Sequence, residues 1–125
     1  MAIPVRIRKK DKYKGSVTPS DFNVETDIIN LGSQDDDFIL EGQISLQNME
    51  ANDEVELRIY IAVDGTNRVL SDKMTFSGVQ DIPVVRIPSI TLDRDAKPRV
   101  TIKQTAGSTL KSFPYCFIVQ VMEVI

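Results

Sequence analysis

The sequence predicts an all-β protein, a compact antiparallel β-sandwich of about eight strands in a jelly-roll-like arrangement, with an extended basic N-terminal arm. Three observations predict this class. Apolar and polar residues alternate in several short segments, turn residues separate those segments at the spacing usual for a sandwich, and no segment has the periodicity of a helix. The 125 residues suffice for one domain with a single core.

Residues 1–15 are predicted to form a basic arm that precedes a single β-sandwich domain of residues 16–125. Residues 2–8 alternate weakly, as a short edge strand would, whereas residues 9–15 have no periodicity and are typical of an extended arm or linker. The arm holds six basic side chains against one acidic side chain, a net charge of +5, and the rest of the chain has a net charge of −8. The six basic residues are Arg6, Arg8, Lys9, Lys10, Lys12 and Lys14.

Two strands are predicted between the arm and the middle of the chain. Residues 22–31 alternate until the phase slips at Ile29, which predicts a strand with a bulge or a bend near its end. Residues 38–46 alternate without a slip. The polar residues 32–37 between the two segments predict a turn.

Residues 53–64 give the clearest strand. Five aliphatic side chains fall at every second position, with mostly polar residues between them, so one side is apolar and the other mostly polar. A helix would scatter these side chains around its circumference. The following Asp64-Gly65 pair predicts a hairpin, because both central positions of the favoured tight turn need positive φ. The aliphatic residues are Val55, Leu57, Ile59, Ile61 and Val63.

Four more strands complete the predicted sandwich. In the first of them Leu70 is expected to face the core, and Asp72 is an exception to the alternation. Pro88 in the second cannot donate a hydrogen bond, which places that strand at a sheet edge or a bulge. The four strands are predicted over residues 68–76, 84–92, 98–104 and 115–125.

A jelly roll is favoured over an immunoglobulin-like sandwich. Seven strands with the N-terminal segment outside them would suit the immunoglobulin-like arrangement. The sequence has one cysteine and no tryptophan, so the disulfide and the core tryptophan of an antibody-type domain are missing.

The last predicted strand is apolar on both faces. Tyr115, Phe117, Val119 and Val121 lie on one face, and Cys116, Ile118, Met122 and Val124 lie on the other. A strand of a lone antiparallel sandwich normally presents one face to water. The second face is therefore expected to be covered, either by a loop or the folded-back N-terminal segment of the same chain, or by another copy of the chain.

The sequence offers little for catalysis. It has no histidine, which is the commonest general base and a frequent zinc ligand. Cys116 lies in an apolar strand, so we expect a small core or interface residue rather than a reactive thiolate. No glycine-rich phosphate loop or dinucleotide fingerprint occurs. We therefore expect a non-enzymatic protein with no cofactor and no small-molecule substrate.

Two groups of aspartates suggest calcium as an alternative to simple turns. They are Asp35, Asp36 and Asp37, and then Asp93 and Asp95. Neither group follows the ligand spacing of an EF-hand loop. We expect solvent-exposed turns and no metal site, and calcium binding stays open at this point.

The function that uses most of these features is that of a structural protein in a multi-subunit assembly. A virus or phage particle component is favoured, such as a minor capsid, decoration or tail protein, which would assemble with its own copies and other structural subunits. The arm would bind an acidic neighbour through Arg6, Arg8, Lys9, Lys10, Lys12 and Lys14, with Tyr13 as an anchor. The C-terminal strand would contribute Ile118, Met122 and Val124.

Two alternatives belong to other classes. A carbohydrate- or ligand-binding sandwich would need exposed aromatic rings, and only Tyr13 and Tyr60 are candidates. A nucleic-acid-binding accessory protein would use the arm for phosphate contacts, although the acidic body would repel a polyanion. No long apolar run or secretory signal is present, so we expect no membrane association. The expected location is a virion made in host cytoplasm, or the cytoplasm if the protein is cellular.

Overall fold

A computed structural model describes residues 4–125, and Met1, Ala2 and Ile3 lie outside the described residues. The described chain contains eight strands and no helix, which confirms the all-β prediction. Residues 4–125 accordingly contain no helix long and apolar enough to cross a membrane. The strands are β1 (Val5–Val17), β2 (Thr26–Asn30), β3 (Phe38–Ser45), β4 (Glu54–Ile61), β5 (Val69–Ser77), β6 (Val84–Leu92), β7 (Arg99–Ala106) and β8 (Phe113–Val124).

The strands form two antiparallel sheets of four. The first sheet has the order β1-β8-β3-β6, and the second sheet has the order β2-β7-β4-β5. Only β4 and β5 are consecutive strands that pair with each other, so every other connection crosses between the sheets. Eight strands in two such sheets are the architecture of a jelly roll, as the sequence predicts.

Four of the connections define the two sides of the sandwich. Each position in the first sheet order corresponds to one position in the second, and a connection of six to eight residues joins the two strands at each position. The pairs are β1 and β2, β8 and β7, β3 and β4, and β6 and β5. Because connections this short keep successive strands close together, β1 and β2 lie on one side of the sandwich and β5 and β6 on the other. We call these the β1–β2 side and the β5–β6 side.

The core lies between the inward faces of the two sheets. Three phenylalanines, Phe38, Phe113 and Phe117, are fully buried in the first sheet, and the second sheet contributes Leu57 and Ile102, which are also fully buried. Such a core, filled from both inner faces, is what holds a sandwich together.

β4 confirms the clearest sequence pattern but is shorter than predicted. Val55, Leu57 and Ile59 are buried, as their spacing predicts. The strand ends at Ile61, and Val63, expected to face the core, is 91% exposed. The turn that contains Asp64 begins at Ala62, before Val63, because the N–H of Gly65 donates a hydrogen bond to the carbonyl of Ala62.

The N-terminal segment is joined to its own molecule along its length. β1 pairs with β8 from Val5 opposite Val124 to Val17 opposite Phe113, with a bulge between Ile7 and Lys9. Residues 9–15 are extended, as predicted, but they belong to a sheet. The sequence does not reveal this strand because charged side chains occupy both of its faces, and backbone pairing with β8 supplies the stabilisation instead. The boundary predicted at residue 15 falls inside β1.

Candidate interaction surfaces

The outward row of β8 is the first candidate surface. Phe113, Phe117, Val119 and Val121 point into the core and are buried. The side chains between them alternate to the opposite face. Of these, Cys116, Ile118 and Met122 are half-buried and Val124 is 61% exposed. β8 lies between β1 and β3, so the side chains of these neighbouring strands flank the row.

Three lysines of β1 border this row. The register places Lys10 opposite Gln120, Lys12 opposite Ile118 and Lys14 opposite Cys116. Lysine stems cover apolar surface while their ammonium groups stay in water. The outer face of the first sheet therefore combines a half-buried apolar row with a row of positive charges. We call it the β8 face.

The six basic residues predicted for the arm divide into two groups. Three of them form ion pairs within the chain. The distance from the basic nitrogen to the carboxylate oxygen is 2.6 Å for Arg6 and Glu123, 2.9 Å for Arg8 and Asp35, and 3.4 Å for Lys9 and Asp11. Within residues 4–125 no carboxylate lies within 4.0 Å of the ammonium group of the other three. These are Lys10, Lys12 and Lys14.

Two tyrosines that the sequence offers as exposed aromatic rings make contacts inside the molecule. Tyr13 is partly buried against the core, opposite Phe117. The hydroxyl of Tyr60 donates to Glu25 at 2.6 Å, and the Arg99 guanidinium lies 5.5 Å from the centre of its ring. Neither ring is a free stacking platform, which removes the aromatic support for carbohydrate binding.

An open groove of about 500 Å³ lies at one end of the β8 face. Tyr115 and Cys116 line it from β8, Lys14 from β1 and Val84 from β6. The Cys116 thiol is free and half-buried. The groove adds apolar surface beside the lysine row.

Exposed apolar side chains lie at both ends of the β5–β6 side. Leu70, predicted to face the core, is 45% exposed, and Asp72 is exposed beside it. β5 is an edge strand that the core covers only at Met74 and Phe76, which explains why Asp72 is tolerated at an inward position. A register shift between Ile59 and Tyr60 places Leu70 opposite the outward Tyr60, and the alternation in the sequence does not reveal this shift. Val69 and Leu70 lie at the start of β5, and Val79, Ile82 and Val84 lie in the β5–β6 connection and at the start of β6.

The outer face of the second sheet is ionic and internally paired. Glu56 forms an ion pair with Arg58, and the Nζ atoms of Lys73 and Lys103 both lie 3.8 Å from its carboxylate. Asp27 accepts a hydrogen bond from Arg99 at 2.6 Å. Each of these carboxylates has a partner within the chain, and Asp27 lies at the β2 edge of the face.

Glu25 extends that network towards β2. Burial raises the pKa of Glu25, but hydrogen bonds from Thr101 and Tyr60, together with the Arg99 and Arg58 charges, outweigh burial and lower the pKa overall. Both hydrogen bonds measure 2.6 Å. Glu25 therefore stays ionised and contributes a fixed negative charge on the β1–β2 side.

A buried polar cluster joins the β3–β4 and β7–β8 loops. Asp53 accepts hydrogen bonds from the N–H of Glu50 and lies 3.4 Å from the Lys111 ammonium. The Gln104 amide donates to the carbonyls of Ala106 and Thr109. All buried side-chain polar atoms of residues 4–125 have partners, so this cluster is structural.

The two aspartate groups cap turns. The Asp36 carboxylate accepts the N–H of Asp37, the Asp37 carboxylate accepts the N–H of Arg94, and the Asp93 carboxylate accepts the N–H of Asp95. Such hydrogen bonds are the usual role of aspartate in turns. The described part of the chain contains no group of three or more side chains placed to hold a metal ion.

Comparison with known proteins shows the fold. The chain is similar to a Bacillus endospore appendage protein, from a family of disulfide-linked pili, with 14% identity and a TM-score of 0.56 over 97% of this chain and 90% of that one. It is also similar to VP2 of infectious bursal disease virus, solved as a subviral particle, with 9% identity and a TM-score of 0.53. That match covers 94% of this chain, which spans about a third of the VP2 chain. No family model and no curated protein matches the sequence.

Proposed function

We propose that the protein is a non-enzymatic structural subunit of an ordered multi-subunit assembly. The observation that carries this proposal is the β8 face, where the apolar row lies beside Lys10, Lys12 and Lys14, none of which has a carboxylate partner within residues 4–125. Apolar patches on soluble proteins mark interaction sites. The unpaired lysines indicate that the covering surface carries carboxylates.

A second copy of the chain is the covering partner that the charge distribution favours. The chain outside residues 1–15 has a net charge of −8, so a second copy carries an excess of carboxylates that can face the lysine row. Complementary charges steer docking and set the register of the contact, whereas the apolar row supplies most of the affinity. The same subunit can in this way supply both surfaces of a repeating contact.

We propose a virus or phage particle as the assembly, with the protein as a minor capsid, decoration or tail component. The jelly-roll fold supports this proposal, and the similar VP2 and appendage proteins are themselves described in a subviral particle and in pili. In the same proposal, Ile118, Met122 and Val124 contact another subunit, and the basic residues of the arm bind an acidic neighbour. Other structural subunits of the particle would contact the remaining faces.

The proposal is tested by replacing two apolar side chains of the β8 face. Gln120 already occupies an outward position between Ile118 and Met122, so the strand accommodates glutamine there. The variant Ile118→Gln with Met122→Gln should lose the larger assemblies that form through the β8 face, as measured by sedimentation velocity and native mass spectrometry. Loss of apolar contact area is the reason.

The control introduces two glutamines on the ionic face instead. Thr75→Gln with Ser77→Gln alters two exposed positions of β5 and should associate like the wild type. Thermal unfolding should be the same for both variants. A wild-type protein that stays monomeric at high concentration would contradict the proposal, as would equal association of the two variants.

A further inference from the structure

We infer that two copies of the chain associate through their β1–β2 sides, with β1 of each copy pairing antiparallel to β2 of the other. The inference rests on the proposed self-assembly and names a second contact, which uses Lys12 and Lys14 of the β8 face but not its apolar row. β1 and β2 are edge strands of different sheets, and both lie on the β1–β2 side. Each presents a row of unpaired backbone groups to solvent.

Symmetry allows two ways to join these edges. A two-fold axis perpendicular to the sheets would place β1 of one copy beside β1 of the other. A two-fold axis parallel to the strands would place β1 of each copy beside β2 of the other, and since β1 and β2 run in opposite directions, the new pairs would be antiparallel. Both arrangements are closed dimers in which the same patch of each copy is used.

Charge decides between the two arrangements. Pairing β1 with β1 would bring together two strands that each carry Arg6, Arg8 and four lysines against Asp11 alone. Like charges placed opposite each other destabilise a strand pair. β2 instead carries Asp27, and Glu25 directly precedes it. Pairing β1 with β2 therefore places basic residues opposite acidic ones.

The basic residues of β1 and the acidic residues near β2 lie at similar positions along the strand direction, which we call the level. β7 leads into β8 through one short loop, so the end of β7 and the start of β8 lie at the same level. Asp27 pairs with Thr101 of β7, five residues before the end of that strand. Lys12 pairs with Ile118 of β8, five residues after its start. Lys12 and Asp27 therefore lie at similar levels, with Lys14 and Glu25 next to them.

The side chains also point to the same face. Lys12 and Lys14 alternate with the inward Tyr13, so they lie on the outer face of the first sheet. Asp27 contacts Arg99, which packs over the outward Tyr60, so Asp27 lies on the outer face of the second sheet. Rotation about an axis parallel to the strands makes these two outer faces continuous. The lysines of one copy then meet Glu25 and Asp27 of the other twice per dimer.

Charge reversal with rescue tests this dimer. Lys12→Glu with Lys14→Glu makes the facing positions of both edges negative, and Glu25→Lys with Asp27→Lys makes them both positive, so each variant alone should dimerise about 100-fold more weakly. A mixture of the two variants should form a heterodimer, since each acidic edge then meets a basic one. The measurement is native mass spectrometry of the separate and mixed proteins, after circular dichroism has shown that each is folded.

Controls separate this contact from the β8 face. Lys73→Glu with Arg94→Glu makes the same change in net charge away from the β1–β2 side and should leave the dimer intact. Ile118→Gln with Met122→Gln should abolish larger assemblies but leave the dimer. The inference is overturned if Lys12→Glu with Lys14→Glu dimerises like the control, or if two folded variants fail to form a heterodimer. If the dimer persists while the β8-face variant assembles normally, the proposed role of the β8 face fails and the dimer stands.

Discussion

At the scale of single residues, close packing and local hydrogen bonds give particular positions a single acceptable side chain. Gly42 lies on the inward face of β3, where the ring of Phe117 occupies the space that a Cβ atom would need. Asp64 in the β4–β5 loop accepts N–H groups from Thr66 and Asn67, which holds the loop in its conformation. Both residues act locally, and their effects can be measured separately from assembly.

Gly42→Ala should lower the free energy of unfolding by about 1–3 kcal/mol, because the added methyl group forces the Phe117 ring or the strand to move. Urea unfolding followed by circular dichroism measures the change. Gly32→Ala is the matched control, since nothing lies within 4 Å of a Cβ atom at that position. Its unfolding free energy should stay within about 0.5 kcal/mol of the wild type. Equal effects of the two substitutions would contradict the packing argument.

Asp64 should titrate with a pKa of about 2, below the usual 3.8, because the backbone N–H groups of Asn67 and Thr66 stabilise its carboxylate. The folded pKa is lower than the unfolded one, so Asp64 stabilises the fold above pH 4 and loses this contribution as the pH falls towards 2. Carboxyl chemical shifts measured by NMR during an acid titration give the pKa directly. In Asp64→Asn the stability should depend less on pH in this window. A measured pKa near 3.8 would refute the proposed hydrogen bonds.

At the scale of elements, β1 is the strand whose role changes most between sequence and structure. Twelve residues of β1 pair with residues of β8, and Tyr13 and Val17 pack against the core. β8 consequently has neighbours on both sides and lies inside the first sheet. The basic segment thus has a structural role in its own subunit in addition to its proposed role between subunits.

Removal of residues 1–14 should destabilise the monomer by about 3 kcal/mol or more, because it deletes most of β1 and the packing of Tyr13 and leaves one edge of β8 unpaired. Urea unfolding of the truncated protein measures this loss. Removal of residues 1–4, which precede β1, should change the stability little and serves as the control. If the longer truncation unfolds like the wild type, residues 1–15 behave as an arm that is independent of the sandwich domain.

At the scale of the whole molecule, the faces differ in how their charges are balanced. The outer face of the second sheet pairs Glu56, Asp27 and Glu25 with cations or donors of the same chain. The β8 face instead leaves three lysines without carboxylates beside an apolar row. The carboxylates of one face therefore have contacts within the monomer, whereas the lysines of the other have no carboxylate contact within residues 4–125 and are suited to a partner.

The two proposed contacts should respond differently to salt. Raising the ionic strength from about 0.01 M to about 1 M shortens the screening length from about 30 Å to about 3 Å. The dimer formed by the β1–β2 sides should weaken over this range, because exposed charges select it. Association through the β8 face should persist, since apolar burial drives it. Sedimentation velocity of the Ile118→Gln, Met122→Gln variant isolates the first contact, and a dimer of unchanged affinity in high salt would contradict its electrostatic origin.

The sequence by itself determined the strands that bury one face. Residues 38–46 and 53–64 alternate, and the structure buries the predicted side chains of the first segment and Val55, Leu57 and Ile59 of the second, because a half-buried strand places apolar residues at every second position. The bulge near Ile29 was also visible as a slip of phase, and the register of β2 shifts between Asp27 and Ile29. The apolar candidates on the last strand could likewise be read from its two-sided pattern.

Only the tertiary structure decided the role of β1, the edge position of β5 and the division of the basic residues into paired and unpaired groups. Backbone hydrogen bonds can hold a strand whatever its side chains are, so polar edge strands have no sequence signature. Whether a lysine has a carboxylate partner depends on residues far away in the chain, as Arg6 with Glu123 shows. Alternation is a local property that a sequence displays, whereas strand order and charge pairing are set by which distant segments meet when the core closes.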